Sequence, residues 1–261
     1  MTASEINPSS GHDIVFSPVY GPVKSRRYGT TFGINLLPSG EKTCSFDCLY
    51  CQLGWSTKKL PSANTEFPVK ELIAKELARL LTKHVNTAPH QQVSIVFSGN
   101  GEPTLHPDFA NIVSQVIRTR DEISNTTPIV CFTNGTTIQK QVVFDALSLL
   151  EECCVKLDPQ LAITNSPPKA FSWPDVKNII VHLNNLVIQS CVFGGLGGND
   201  SRDSIEQWVE HFSGLNPRRV DLYTISRQTP HAGLIPTSKD RLTEIKNELS
   251  RIFSGPITIT I

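Results

Sequence analysis

From about residue 29 onward the chain alternates between short β-branched runs that end in Gly, Asn, Asp or a polar cluster and longer amphipathic stretches. That alternation is the mark of a βα repeat. The runs predict six strands, at 30–37 (TTFGINLL), 93–98 (VSIVFS), 128–133 (PIVCFT), 153–158 (CCVKLD), 186–192 (LVIQSCV) and 219–225 (RVDLYTI). Between them, Val69, Leu72, Ile73, Leu77, Leu80 and Leu81 recur at helical spacing over 69–84, as do Phe109, Ile112, Val113, Val116 and Ile117 over 107–118. Shallower helical periods cover 138–150, 174–183, 202–213 and 237–253, the last with Leu242, Ile245, Leu249 and Ile252 in step. Strands joined by crossover helices run parallel. Residues 1–28 show no clear period and carry Pro and Gly breakers, so they are expected to form an N-terminal arm that either covers the barrel bottom or stays mobile. Residues 29–261 are expected to form one core domain, and 254–261 (SGPITITI) predicts one more short strand after a Gly-Pro turn.

The length, 261 residues, matches that at which an α/β barrel forms one unit. Hydrophobic residues make up 39%, enough for a sizeable core, and 24 basic residues balance 24 acidic ones, so no single-sign field covers the surface. The start is polar, without a charged n-region or apolar h-region, and no apolar run nears the roughly 18 residues that span a bilayer. A cytoplasmic protein with no membrane role is the expectation. Seven cysteines, an odd number in a chain of this size, fit reduced thiols or metal ligands better than a disulfide framework.

The densest chemistry is Cys44-Ser45-Phe46-Asp47-Cys48-Leu49-Tyr50-Cys51, a C-x3-C-x2-C run just after the first predicted strand. Soft thiolates select iron–sulfur clusters, zinc or Cu(I). A structural zinc site would be closed by a fourth ligand, and none follows at the usual spacing. Three ligands leave one coordination position open, which is where chemistry takes place at a metal.

Further polar positions fall at strand ends. Gly99-Asn100-Gly101-Glu102 follows the second predicted strand, where glycines permit close approach to a ligand; alone, such a turn is an ordinary loop. Thr133-Asn134-Gly135 ends the third. On the fourth, a period of two puts Lys156 and Asp158 on one face, as a structural ion pair or as ligand groups. Gln189 is polar between apolar neighbours on the fifth. Arg227 follows the sixth, where barrel enzymes place substrate-binding groups, and its fork suits a carboxylate or phosphate; a surface arginine is the alternative.

The C-x3-C-x2-C run with an aromatic before its last cysteine resembles the signature of the radical S-adenosylmethionine (SAM) superfamily. The resemblance implies a partial (β/α)6 TIM-type barrel. It implies a [4Fe–4S] cluster on Cys44, Cys48 and Cys51, with the fourth iron chelated by the methionine moiety of S-adenosylmethionine. The reduced cluster then cleaves the cofactor to a 5′-deoxyadenosyl radical that abstracts hydrogen from substrate. By the same resemblance Tyr50 lies beside the adenine, Glu102 and the Gly99, Asn100 and Gly101 turn receive the methionine ammonium, and Thr133 and Asn134 lie near the cofactor. Lys156, Asp158 and Gln189 are further cofactor-binding candidates. A reduced flavodoxin or ferredoxin is the expected electron donor, oxygen sensitivity is implied, and a monomer is expected.

A narrower resemblance, to the radical enzymes grouped with the wyosine-base-forming tRNA enzyme 4-demethylwyosine synthase, rests on Gly21–Gly29, Gly33–Pro38, TCSFDCLYCQLG, SGNGEPT, VKLDP and YTISR. The chain lacks that enzyme's additional cysteine cluster: Cys131, Cys153, Cys154 and Cys191 lie singly or adjacent in predicted strands, as small buried thiols do. Basic residues are dense only at Lys24-Ser25-Arg26-Arg27, so Arg26 and Arg27 join Arg227 as candidate substrate anion groups. The substrate is then a tRNA base or a small anionic molecule. The alternatives are an activase placing a glycyl radical on a partner enzyme, and a non-enzymatic iron–sulfur electron-transfer module.

Overall fold

A computed structural model describes residues 14–56 and 58–261; residues 1–13, the first part of the expected arm, lie outside the described residues. The six expected parallel strands form at Gly29–Ile34 (β2), Val93–Phe97 (β3), Ile129–Thr133 (β4), Glu152–Lys156 (β5), Leu186–Cys191 (β6) and Arg219–Tyr223 (β8), and Ile257–Thr260 (β10) adds the expected last one. They hydrogen-bond in the order β2-β3-β4-β5-β6-β8-β10, all parallel. The result is an α/β fold whose sheet curls into a half-barrel.

Three strands lie outside the expected set. Val19–Ser25 (β1) pairs antiparallel with β2 and makes the sheet eight-stranded. Its register shifts between Tyr20 and Val23, across Gly21-Pro22, and an edge strand is where a proline without an N–H is tolerated. Its inner face is short, so the two-residue alternation is weak in the sequence. The Tyr20 ring packs closely against Gly33, where a Cβ would fall 2.1 Å from the ring. A second, two-stranded sheet joins Phe193–Gly195 (β7) to Leu234–Pro236 (β9).

The helices are Lys70–Thr87 (α1), Phe109–Ser124 (α2), Gln141–Ser148 (α3), Leu161–Thr164 (α4), Trp173–Ile180 (α5), Arg202–Glu210 (α6) and Lys239–Leu249 (α7). Ser172, Ser201 and Ser238 cap α5, α6 and α7 by accepting from a backbone N–H three residues on. α1 buries Ile73, Leu77, Leu81 and His84, whereas Val69 and Leu72 are 59% and 43% exposed. The helix begins at Lys70 with Val69 as its N-cap, so Val69 lies ahead of the first turn rather than on the buried stripe.

One large core lies between the sheet and the helices, filled by residues such as Ile73, Phe97, Ile112, Ile188 and, on α7, Ile245. A smaller cluster, Val96, Val130, Cys154 and Val187 with Tyr28 and Phe132, lines the inner face of the curl. Among the described residues no helix is long and apolar enough to cross a membrane.

Candidate functional site

The cysteine loop leaves the C-terminal end of β2 and is fastened on both sides. Thr43 N donates to Asn100 O (2.8 Å) and Glu102 N to Thr43 O (3.3 Å), while Asp47 N and Leu49 N donate to Asn165 O (2.8 Å) and Thr164 O (2.9 Å). The loop is therefore clamped between the glycine turn after β3 and the end of α4. Lys42, only 2% exposed, reaches across it to Gly54 O (2.7 Å) and Asp47 (3.5 Å).

All seven cysteines are free thiols. Burial pushes the Cys44 thiol up, helped by Cys48 and Glu102. Burial and the neighbouring Cys51 and Asp158 push Cys48 up to about 11. Burial opposes the charge on Lys42, but Cys51, Cys44 and Cys48 outweigh it and hold the ammonium protonated. Three thiols within electrostatic reach of one another and of one buried cation form a donor set that ionises on binding a soft metal. Among the described residues no group of three or more His, Cys, Asp or Glu closes around a single ion; a multi-iron cluster, whose irons are separate, asks for no such closure. The residues fit an iron–sulfur cluster.

The turn after β3 has Gly99 at φ 149° and Gly101 at φ 140°, where a side chain is strained. A Cβ on Gly101 would also lie 1.9 Å from Thr43 O. Glu102 is buried and gathers donors: its Oε1 accepts from Thr104 N (3.2 Å), Thr104 Oγ1 (2.5 Å) and Thr133 Oγ1 (2.7 Å), and its Oε2 from Asn134 N (2.7 Å). Burial raises its carboxyl above the usual range against the pull of these bonds. The Asn134 amide donates to Ser45 Oγ (2.9 Å) and lies 3.8 Å from Cys44 Sγ. Asn100, by contrast, turns its side chain to the scaffold. It accepts from Val15 N (2.8 Å) and donates to Val15 O (2.7 Å) and Pro38 O (2.8 Å).

Opposite the turn, Asp158 accepts from Tyr50 OH, Asn165 Nδ2 (2.7 Å) and Cys191 N (2.6 Å). Asn165 also donates to Cys48 Sγ at 3.1 Å. Lys156 Nζ lies 4.0 Å from Asp158 Oδ1, so the pair expected on one face does meet. It donates to Tyr223 OH and sits 5.0 and 4.7 Å from the Tyr50 and Tyr223 ring centres. Burial works against the Lys156 charge, but Asp158 and Tyr223 raise its pKa overall.

A cavity of about 140 Å³ opens between these groups, lined by Cys44, Cys48, Gly101, Glu102, Phe132, Thr133, Asn134, Cys154, Lys156 and Gln189. Arg27, at the tip of the β1–β2 hairpin, stacks over Phe132 and Tyr223. Arg26 beside it is exposed, and Arg227 is exposed and donates to Gln52 (3.2 Å). The four remaining cysteines are all buried, Cys131 and Cys153 in the outer core and Cys154 on the inner face. Lys42, Asn165 and Tyr223 escaped the sequence reading. Tyr223 follows Asp221 by two on β8 and could have been found by that period; nothing in the sequence marks Asn165, which reaches the site only because α4 folds under the cysteine loop.

A family model described as the Radical SAM superfamily matches residues 42–211. Among curated relatives, a protein named GTPase Obg from Brachyspira hyodysenteriae is 28% identical over 218 residues, 81% of this chain, and the chain spans only 30% of that relative's length. Among solved structures, a radical SAM methyltransferase from Sphaerobacter thermophilus superposes with a TM-score of 0.65 at 16% identity, covering 88% of this chain and 65% of that one. TYW1 with a lysine–pyruvate adduct bound superposes with a TM-score of 0.59 at 15% identity, covering 92% and 76%. At such identities the two structures speak for the fold.

Proposed function

The chain belongs to the radical SAM superfamily, and from that premise we propose that Cys44, Cys48 and Cys51 hold its cluster while Glu102 and the Gly99–Gly101 turn receive the methionine end of S-adenosylmethionine. Membership makes it an enzyme that works with a [4Fe–4S] cluster and this cofactor and needs a reductant. The bound pair supplies reductive cleavage of the cofactor, which starts radical chemistry on a substrate.

The observation that carries the site assignment is the cavity shared by two loop thiols and the buried Glu102. Three donors occupy Glu102 Oε1 but one occupies Oε2, which leaves Oε2 able to accept from an ammonium. Thr133 and Asn134 fix that carboxylate, and Asn134 continues to the cysteine loop through Ser45. Tyr50, held by its hydroxyl to Asp158, has its ring beside Lys156, and on this reading it flanks the adenine. Lys156 and Asp158 neutralise each other and add polar groups without a net charge. Arg26, Arg27 and Arg227 are the basic groups available to a tRNA base's backbone or to a small anionic substrate, and flavodoxin or ferredoxin is the reductant this reading takes.

Anaerobic reconstitution with iron and sulfide, followed by dithionite and S-adenosylmethionine, is expected to yield 5′-deoxyadenosine and methionine. A verified four-iron protein that yields neither would overturn the reading.

A further inference from the structure

Asn165 ends α4 beside the cysteine loop and is 0% exposed. Its backbone oxygen accepts from Asp47 N and that of Thr164 from Leu49 N, so the end of α4 is held in register with the segment that carries Cys48. On that footing Asn165 Nδ2 reaches Asp158 Oδ2 at 2.7 Å, Cys48 Sγ at 3.1 Å and Tyr50 OH at 3.3 Å. A carboxamide has two N–H bonds, and the two shortest contacts take them. Asn134 stands 3.8 Å from Cys44 Sγ and spends its closer bond, 2.9 Å, on Ser45 Oγ.

The direction of the Asn165 amide follows from its neighbours. Turned about, it would set its carbonyl against the Asp158 carboxylate and the Cys48 sulfur, both rich in electrons. As it stands, Asn165 Oδ1 is buried with no hydrogen-bond partner among the described residues. An unpartnered buried acceptor destabilises a fold, yet this one is kept, and with it both N–H groups stay on Asp158 and Cys48. Asp158 is itself fixed by Cys191 N (2.6 Å) and Tyr50 OH. A buried carboxylate therefore aims the amide, and the amide is aimed at a sulfur.

We propose that Asn165 is a positioning residue for electron uptake, its N–H to Cys48 Sγ making the cluster easier to reduce. The inference rests on the function proposed above in taking Cys48 as a cluster ligand. Hydrogen bonds to the ligand sulfurs are among the levers that set an iron–sulfur potential. Reduction brings in one electron from the donor, makes and breaks no bond, moves no proton, and leaves more negative charge on the sulfurs. An N–H donor stabilises that charge more than it stabilises the oxidised state, and burial keeps water from screening the difference. Asn165 does not line the cavity shared by Glu102 and the loop thiols, so its influence falls on the electron rather than on the fit of the cofactor.

The test is potentiometric titration of four-iron protein followed by electron paramagnetic resonance, without S-adenosylmethionine so that no cofactor is consumed. At one fixed poise Asn165→Leu should lower the ratio of reduced to oxidised cluster about three- to tenfold. Thr164→Val removes the neighbouring bond to Pro159 O (2.9 Å) without touching a sulfur and should titrate as the wild type does. A second readout uses wild-type protein isotopically labelled at the asparagine side-chain nitrogen: the reduced cluster should show hyperfine coupling to that nitrogen, and Asn165→Gln should lose it. The inference is overturned by a four-iron Asn165→Leu protein that titrates as the wild type does, or by Thr164→Val shifting as far. It is overturned equally by a wild type without the coupling, or by coupling that persists in Asn165→Gln and so belongs to Asn134. Where Asn165→Leu fails to hold iron, the coupling decides. Cys48→Ala separates the two readings: a full four-iron cluster there removes the ligand assignment, whereas iron loss there with flat Asn165 readouts removes only the role of Asn165.

Discussion

At the start of the barrel strands, Arg219 donates to Glu152 at 2.8 and 2.9 Å and to Asp221 at 2.6 Å, Thr258 takes Asp221 at 2.6 Å, and Tyr28 closes on Glu152. Past the ends of the same strands, three thiols lie within electrostatic reach of one another and Glu102 Oε2 has one donor, while inside the curl Gln189 and Arg27 each carry a buried N–H without a partner among the described residues. The two regions draw on similar residue types, but one is satisfied internally and the other only by something bound. A saturated network holds shape; an unsaturated one, on a rigid frame, is set up for ligands.

The largest effect should come from the open end. Cys48→Ala is expected to lower iron retention and deoxyadenosine formation by more than roughly 100-fold, since changes outside a metal's immediate ligands already cost 10–100-fold. Urea stability of the metal-free chain should hardly move. A large loss of that stability would erase the contrast between the ends.

Arg219→Met tests the closed end in the opposite sense. It strands Asp221, which is 2% exposed, and should cost about 2–3 kcal/mol in urea unfolding, the partial exposure of Arg219 reducing the penalty of a fully buried pair. The folded variant should still hold four-iron clusters. Iron loss well below the unfolding midpoint would show that the two ends are not separable.

The smallest effect is a difference of sign. Burial raises Glu102, so its contribution to stability is present below the ordinary glutamate pKa of about 4.3 and is lost as pH rises through the raised folded value. Glu152, where burial is outweighed by Arg219 and Tyr28, is lowered; its contribution is present above about 4.3 and is lost as pH falls through the depressed value. Glu102→Gln and Glu152→Gln should therefore change the pH dependence of unfolding of the metal-free protein in opposite directions. Parallel changes would show that both carboxylates share one environment.

What the sequence made legible follows the same division. The parallel strands and α1 and α2 were readable because each buries a full stripe, Ile73, Leu77 and Leu81 on one and Ile112, Val113 and Val116 on the other. Cys44, Cys48 and Cys51 were readable because one short loop carries all three. β1 was not, because an edge strand broken by Gly21-Pro22 buries little. The placing of Arg27 was hidden for a related reason: its neighbours Phe132 and Tyr223 are some 100 and 200 residues away in sequence and no local period encodes such a meeting. Lys156 and Asp158 were open between ion pair and ligand groups, and the 4.0 Å approach supplies the pair while leaving both on the site.

Asn100 has a consequence for descent. Its carboxamide grips the backbone of Val15 with both ends and reaches Pro38 as well, at the middle of the turn that carries Glu102. An asparagine there has both ends of its carboxamide engaged only where a chain segment passes over the turn at the height of Val15. Kin that have lost or rerouted that crossing have no peptide group for it to hold. The residue at this position and the presence of the crossing should therefore be inherited together, and one letter in a sequence would report how the front of the protein is threaded.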